Sequence, residues 1–125
     1  MLVLDAGALV AVERGDRDLV ALVKTERTAG RTPVTHGAVV AQVWRGGTGR
    51  QAPVARLLAG VEVIAVDDSL GRRAGRLLAI NGTSDAVDAL VVCLASDGDD
   101  LLTSDPEDLR DLAEAAGLHV EIVPV

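Results

Sequence analysis

Short apolar runs alternate with helical stripes along this whole chain, and that alternation leaves few ways to fold it. Leu2 to Leu4, Pro33 to Thr35, Val61 to Val66, Asp100 to Thr103 and His119 to Val123 are each short, β-branched or Leu-rich, and bordered by turn residues, so they read as strands. Helical stripes fill the intervals: Leu19, Leu22 and Val23 before Gly30; Leu57 and Leu58 before Gly60; Leu70, Ala74, Leu77 and Leu78 before Asn81-Gly82; and Leu109, Leu112 and Ala113 before Gly117, a helix stop. Strands that are apolar nearly throughout are buried on both faces, which predicts an α/β fold with a mainly parallel sheet covered by helices on each side. Strand-to-helix turns then share one sheet edge. In open sheets of this kind ligands collect outside the carboxyl ends of the strands.

The 125 residues are 49% apolar and 25% charged, the size and balance of a single domain spanning 1–125. Phe and Tyr are absent and Trp44 is the one aromatic residue, so the expected core is Val, Leu, Ala and Ile. The same absence argues against nucleic-acid modules of the RRM or OB type, which stack bases on exposed rings. Cys93 alone forms no internal disulfide, and with His36 and His119 as the only histidines it leaves no Cys/His zinc site; within the apolar run Ala89 to Ala95 it reads as a small core residue. No signal-like segment or membrane-length apolar run is present, which predicts a cytoplasmic protein with no membrane association. Charge is unevenly spread within the net −7: from Ser84 onward eleven acids face Arg110 alone, while the preceding residues carry +3, with ten of their eleven cations Arg. An acidic chain is a poor non-specific partner for nucleic acid, although local Arg groups can hold a phosphate and divalent cations offset an acidic site.

Four places set acidic or amide side chains where a buried strand or apolar helix carries none: Asp5, Gln42, the pair Asp85 and Asp88, and Asp105. Asp5 ends the first strand just as Ala6-Gly7-Ala8 opens a helix, and Asp105 falls at the matching turn before Pro106, so the parallel topology brings the two together. Asp105 also suits an N-cap followed by Pro at N1, and Asp108 suits a helix N-terminus, where the dipole favours an acid. Asp88 is the only charge between Asp85 and Asp97. A carboxylate in so apolar a helix needs a partner, and Ser84 or Asp85 supplies the cap. Asp85 and Asp88 share a helix face, with Asp88 the first choice for a cation and Asp85 in a capping or outer role. Carboxylates gathered without a cation raise one another's pKa. Hard oxygen donors with no Cys or suitable His point to Mg²⁺ or Mn²⁺, and such a centre suits phosphodiester hydrolysis.

Leu2-Val3-Leu4-Asp5, the helix around Val40-Ala41-Gln42-Val43-Trp44-Arg45, Asp88-Ala89-Leu90-Val91 and Thr103-Ser104-Asp105 together resemble the four motifs of PIN-domain proteins, particularly VapC-type toxin ribonucleases. The resemblance covers nearly the whole chain in order, spacing and strand context. It implies a PIN-like three-layer α/β/α fold with strand order 3-2-1-4-5 and a Mg²⁺-dependent endoribonuclease neutralised by a cognate antitoxin. A homodimer is implied as well, for which exposed apolar residues near Trp44 are a possible contact. Carried over, the acidic motif maps to Asp5, Asp88 and Asp105 as catalytic and metal-binding residues, with Gln42 at the fourth position and Thr103 or Ser104 supporting through a hydroxyl.

The family usually carries Glu at the position of Gln42, and an amide brings neither charge nor basicity. A PIN-fold module that has lost nuclease activity and binds an antitoxin-like partner is therefore the competing expectation, and an exposed Gln on an amphipathic helix is the plain one. Arg45 and Arg50, flanking Gly46-Gly47, are candidate RNA-phosphate contacts or else part of a solvated segment; Trp44 reads as core or interface. Three other classes fit poorly. Asp5-Ala6-Gly7 lacks the hydroxyl of an aspartic-protease motif. Gly7 stands where a haloacid-dehalogenase-type phosphatase needs a second Asp. Lys24, the only Lys, is far from the end of the chain, where a receiver domain needs one.

Overall fold

A computed structural model describes residues 1–125. The first strand, β1 (Leu2–Leu4), is central: Val3 pairs in parallel with Val34 on one side and with Leu101 on the other. Outward from it lie β2 (Val34–His36) and then β3 (Glu62–Ile64) on one flank, and β4 (Asp100–Thr103) and then β5 (Glu121–Pro124) on the other. The five strands form one all-parallel sheet in the order 3-2-1-4-5, as expected. Seven helices connect them: α1 (Ala6–Glu13), α2 (Arg17–Thr28), α3 (Gly37–Val43), α4 (Ala52–Leu58), α5 (Asp68–Asn81), α6 (Ala86–Leu94) and α7 (Pro106–Ala115). α1 packs against α2, α3 and α4, whereas α5, α6 and α7 pack against one another. Right-handed crossovers require this division, because the chain steps one way from β1 to β3 and the opposite way from β4 to β5, placing the two helix groups on opposite faces.

The core is a cluster of 25 buried residues, all Leu, Val or Ala. Leu4, Leu9, Leu101, Leu102 and Leu109 are almost completely buried, and each such side chain contributes roughly 1.5–3 kcal/mol. Ile was expected in this core and is not there. Ile64 and Ile122 lie on the outer strands and are only partly buried, and Ile80 is 71% exposed on α5. Leu22, assigned to the stripe of α2, is 38% exposed: α2 packs chiefly on α1, and that narrow contact is filled by Leu19 and Val23. Cys93 is half-buried rather than central, and burial raises its thiol pKa, against the opposing effect of Arg73 and Arg76.

Strand limits shift slightly from the expected runs. β2 begins at Val34 because Pro33 has no N–H for the ladder, although its carbonyl accepts from Glu62. β5 begins at Glu121 because His119 belongs to the preceding turn, where its N–H donates to Asp97 Oδ1 (2.8 Å) and its carbonyl accepts from Gly98 (2.8 Å). β3 is shorter than the run Val61 to Val66, since only Glu62, Val63 and Ile64 meet partners in β2. α5 stops at Gly82, whose φ of 72° closes the helix and accounts for the Asn-Gly signal. No single helix is long and apolar enough to cross a membrane.

Candidate metal centre

The register of the sheet assembles the centre. Leu4 stands opposite Leu102, so the next residues, Asp5 and Thr103, meet at the carboxyl edge, where the Thr103 hydroxyl donates to Asp5 Oδ2 (2.7 Å). The other Asp5 oxygen, Oδ1, accepts the Ala6 N–H (2.8 Å) and caps α1. Thr103 also accepts the Asp105 N–H through Oγ1 (3.0 Å), so one buried hydroxyl ties the first carboxylate to the backbone of the third. Of the two hydroxyls considered, Thr103 is therefore the one engaged; Ser104 is exposed and instead packs against the first turn of α1. That packing is tight: a Cβ on Gly7 would lie 2.6 Å from the Ser104 nitrogen. Only a residue without a side chain lets the two turns approach this closely.

Asp88 arrives from the other helix layer. Asp85 caps α6 by accepting the Asp88 N–H (3.0 Å), which settles the choice between Ser84 and Asp85. The Asp88 carboxylate is buried beside Asp5, and one oxygen from each of Asp5, Asp88 and Asp105 falls within 4.8 Å of the others. A divalent cation with oxygen ligands at about 2.0–2.6 Å places neighbouring and opposite oxygens roughly 3–5 Å apart, so this spacing fits one. Asp105 takes the N-cap position of α7, yet its side chain caps no helix amide, which leaves its carboxylate free for the cluster. Pro106 suits the start of that helix, where its missing N–H is one that would have no intrahelical partner.

Electrostatics agree with a cation at this place. Burial, reinforced by Asp85, Asp5, Asp105 and Asp108, pushes the Asp88 carboxyl from 3.8 up to about 7. Asp108, expected at the start of α7, is there, and together with Asp85, Asp88 and Asp111 it lines an acidic cleft of about 290 Å³. All three donors are hard carboxylate oxygens, a set that can hold a metal ion.

The remaining expected residues gather elsewhere. α3 ends at Val43, so Trp44 and Arg45 lie beyond it rather than within it. Gln42 is exposed and lines a separate cavity of about 460 Å³ with Glu13, Arg45, Thr48 and Arg50, and none of the three clustered carboxylates borders that cavity. Arg45 is held locally, donating through one guanidinium nitrogen to the Ala41 (3.0 Å) and Trp44 (2.7 Å) carbonyls at the end of α3. Arg50 pairs with Glu13 (3.4 Å) but stays largely exposed. Trp44 is 38% exposed and lies over Gly47, not in the core.

Two structural residues escaped the sequence reading. Gln51 is buried and spans the turn, accepting the Arg45 N–H (2.6 Å) and donating to the Val43 carbonyl (2.7 Å); a polar side chain beside Pro53 gives little sign of that. His36 is fully buried at the end of β2, and its Nδ1 accepts from Ala38 (3.2 Å) and Val39 (3.4 Å) to cap α3. The detectable signal was its place between an apolar strand and Gly37-Ala38 at a helix start. No protein-family model and no curated protein sequence matches the chain, so the functional reading rests on the geometry of the carboxylates.

Proposed function

We propose that this protein is a Mg²⁺- or Mn²⁺-dependent endoribonuclease with a PIN-like domain, acting in the cytoplasm as the toxin of a type II toxin–antitoxin pair. The single observation that carries the reading is the convergence of Asp5, Asp88 and Asp105 at the carboxyl edge of the sheet. These three residues would hold the cation, with Thr103 fixing Asp5 and Asp85 fixing the backbone of Asp88. Bound there, a divalent cation lowers the pKa of a coordinated water and offsets charge at the phosphate and the leaving oxygen. Asp88, its pKa raised to about 7, is partly protonated near neutral pH in the metal-free chain, and cation binding would displace that proton. Arg50 and Arg45 border the separate cavity that Gln42 lines and are the proposed contacts for RNA phosphates. A cognate antitoxin and a second copy of the chain are the proposed protein partners.

Purified protein incubated with total RNA and Mg²⁺ or Mn²⁺ should cleave it, with EDTA stopping the reaction. Asp5→Asn should reduce cleavage by roughly 100-fold or more, through loss of one of the three charged donors. Cleavage untouched by this substitution would reject the metal centre as the catalytic site.

A second reading is favoured by one observation: Gln42 is exposed, brings no charge, and lines a cavity that none of the three carboxylates borders. In that reading the fold is a weakened or inactive binding module for an antitoxin-like partner. It is recognised by tight partner binding with no RNA cleavage under any divalent cation. A gain of cleavage in Gln42→Glu would show that charge at this position is limiting.

A further inference from the structure

We infer that His36 is a positioning residue for Asp88, acting by clamping the peptide unit that enters it. The inference rests on the metal-centre reading above for its functional consequence, but its structural part is independent of that reading. The Val87 carbonyl and the Asp88 N–H are two ends of one peptide group. Asp85 Oδ1 accepts from the N–H end (3.0 Å), and His36 Nε2 lies 3.3 Å from the carbonyl end. The tautomer follows from the other ring nitrogen: Nδ1 accepts from the Ala38 and Val39 amides, so the proton sits on Nε2 and is donated to Val87. Both nitrogens are thus used by a neutral ring that is fully buried.

The placement gives this contact its reach. Extending the pairing of Val3 with Val34 by two residues sets His36 level with Asp5, and Thr103 stands level with Asp5 on the opposite side. One row of the sheet therefore carries a hydroxyl that fixes Asp5 and Asp105, and an imidazole that fixes the approach to Asp88. α6 has no other side-chain hydrogen bond from β2, although the two elements pack together. Without His36 the first turn of α6 is held to the sheet by apolar contacts alone. Those fix distance well and rotation about the helix axis poorly, and rotation decides where the Asp88 carboxylate points.

Two substitutions separate the two bonds of the ring. Asn places its oxygen near the position of Nδ1 and cannot reach Val87, whereas Gln places its nitrogen near the position of Nε2 and caps α3 poorly. His36→Asn should weaken Mn²⁺ binding, measured by titration calorimetry, by about tenfold, in the range seen when residues that orient metal ligands are removed. In the metal-free protein it should also speed amide exchange at Asp88 and Ala89. His36→Gln should melt at a lower temperature yet keep Mn²⁺ affinity and exchange at those amides close to wild type. Equal loss of Mn²⁺ affinity in both variants, or no change in exchange in His36→Asn, overturns the inference. If the wild-type protein binds no Mn²⁺, the metal-centre reading fails, and the exchange comparison still decides the role of His36.

Discussion

Asp88 and His36 give the metal-free protein opposing pH responses. The Asp88 carboxyl has its pKa raised from 3.8 to about 7, so the folded chain binds this proton more tightly than the unfolded chain. Its contribution is intact below the unfolded value and is lost as pH rises towards 7, a change of up to about 4 kcal/mol. For His36 burial lowers the pKa from 6.5, against the Val87 bond and Asp5, so its contribution is present above that value and lost as pH falls through the folded one. The melting temperature of the metal-free protein should therefore fall from pH 5 to pH 7.5 on account of Asp88. Asp88→Asn should flatten that slope, and Mn²⁺ at 100 times its Kd should restore about 2.7 kcal/mol in the wild type. A slope that survives in Asp88→Asn would place its origin elsewhere. Asp88 was legible in the sequence because a lone charge in an apolar helix must be explained. The clamp by His36 was not, because its partner lies 51 residues away and meets it only through the packing of α6 on β2.

Between elements, the contact that most directly sets the spacing of the carboxylates is Gly7 against Ser104. The start of α1 carries Asp5 and the turn from β4 to α7 carries Asp105, and any Cβ at position 7 would collide with backbone of that turn. Gly7→Ala should cost about 1–3 kcal/mol through overpacking, offset in small part by the better helix propensity of Ala. More tellingly, it should lower Mn²⁺ affinity several-fold, which a substitution on a helix that carries none of the carboxylates, such as Leu22→Ala on α2, would not do; calorimetry on the two variants compares them. The strand runs and their parallel type were readable because apolar runs and turn residues punctuate the chain, whereas the order 3-2-1-4-5 was implied only by the family resemblance. Their ends were less so, since Pro33 and His119 look compatible with strand until their hydrogen-bond partners are known. The stripe containing Leu22 misled for a similar reason: helical spacing shows which residues share a face and not how wide the facing contact is.

Across the whole molecule, strand order reverses between β1 and β4, and the three carboxylates lie at that reversal, where the connecting helices leave to opposite faces and open a crevice. The sequence allowed this to be anticipated for Asp5 and Asp105 from topology alone. Gln42 was different, because a helix of seven residues has little length over which to fix the direction of a side chain from periodicity. Charge follows the architecture: the acidic stretch from Ser84 onward supplies α6, α7 and the acidic cleft, while Arg45 and Arg50 lie by the other cavity. The aliphatic core has an optical consequence. With no Phe or Tyr, every ultraviolet signal of an aromatic side chain comes from Trp44, which sits outside the core and over Gly47. Leu101→Ala should cost about 2–5 kcal/mol, seen by far-ultraviolet dichroism as earlier melting, while leaving native tryptophan emission unchanged. A shift in emission from the folded Leu101→Ala protein would contradict this separation. The protein thus has an intrinsic fluorophore packed on Gly47, one of the residues lining the cavity shared by Gln42, Arg45 and Arg50, and suited to reporting what enters beside it.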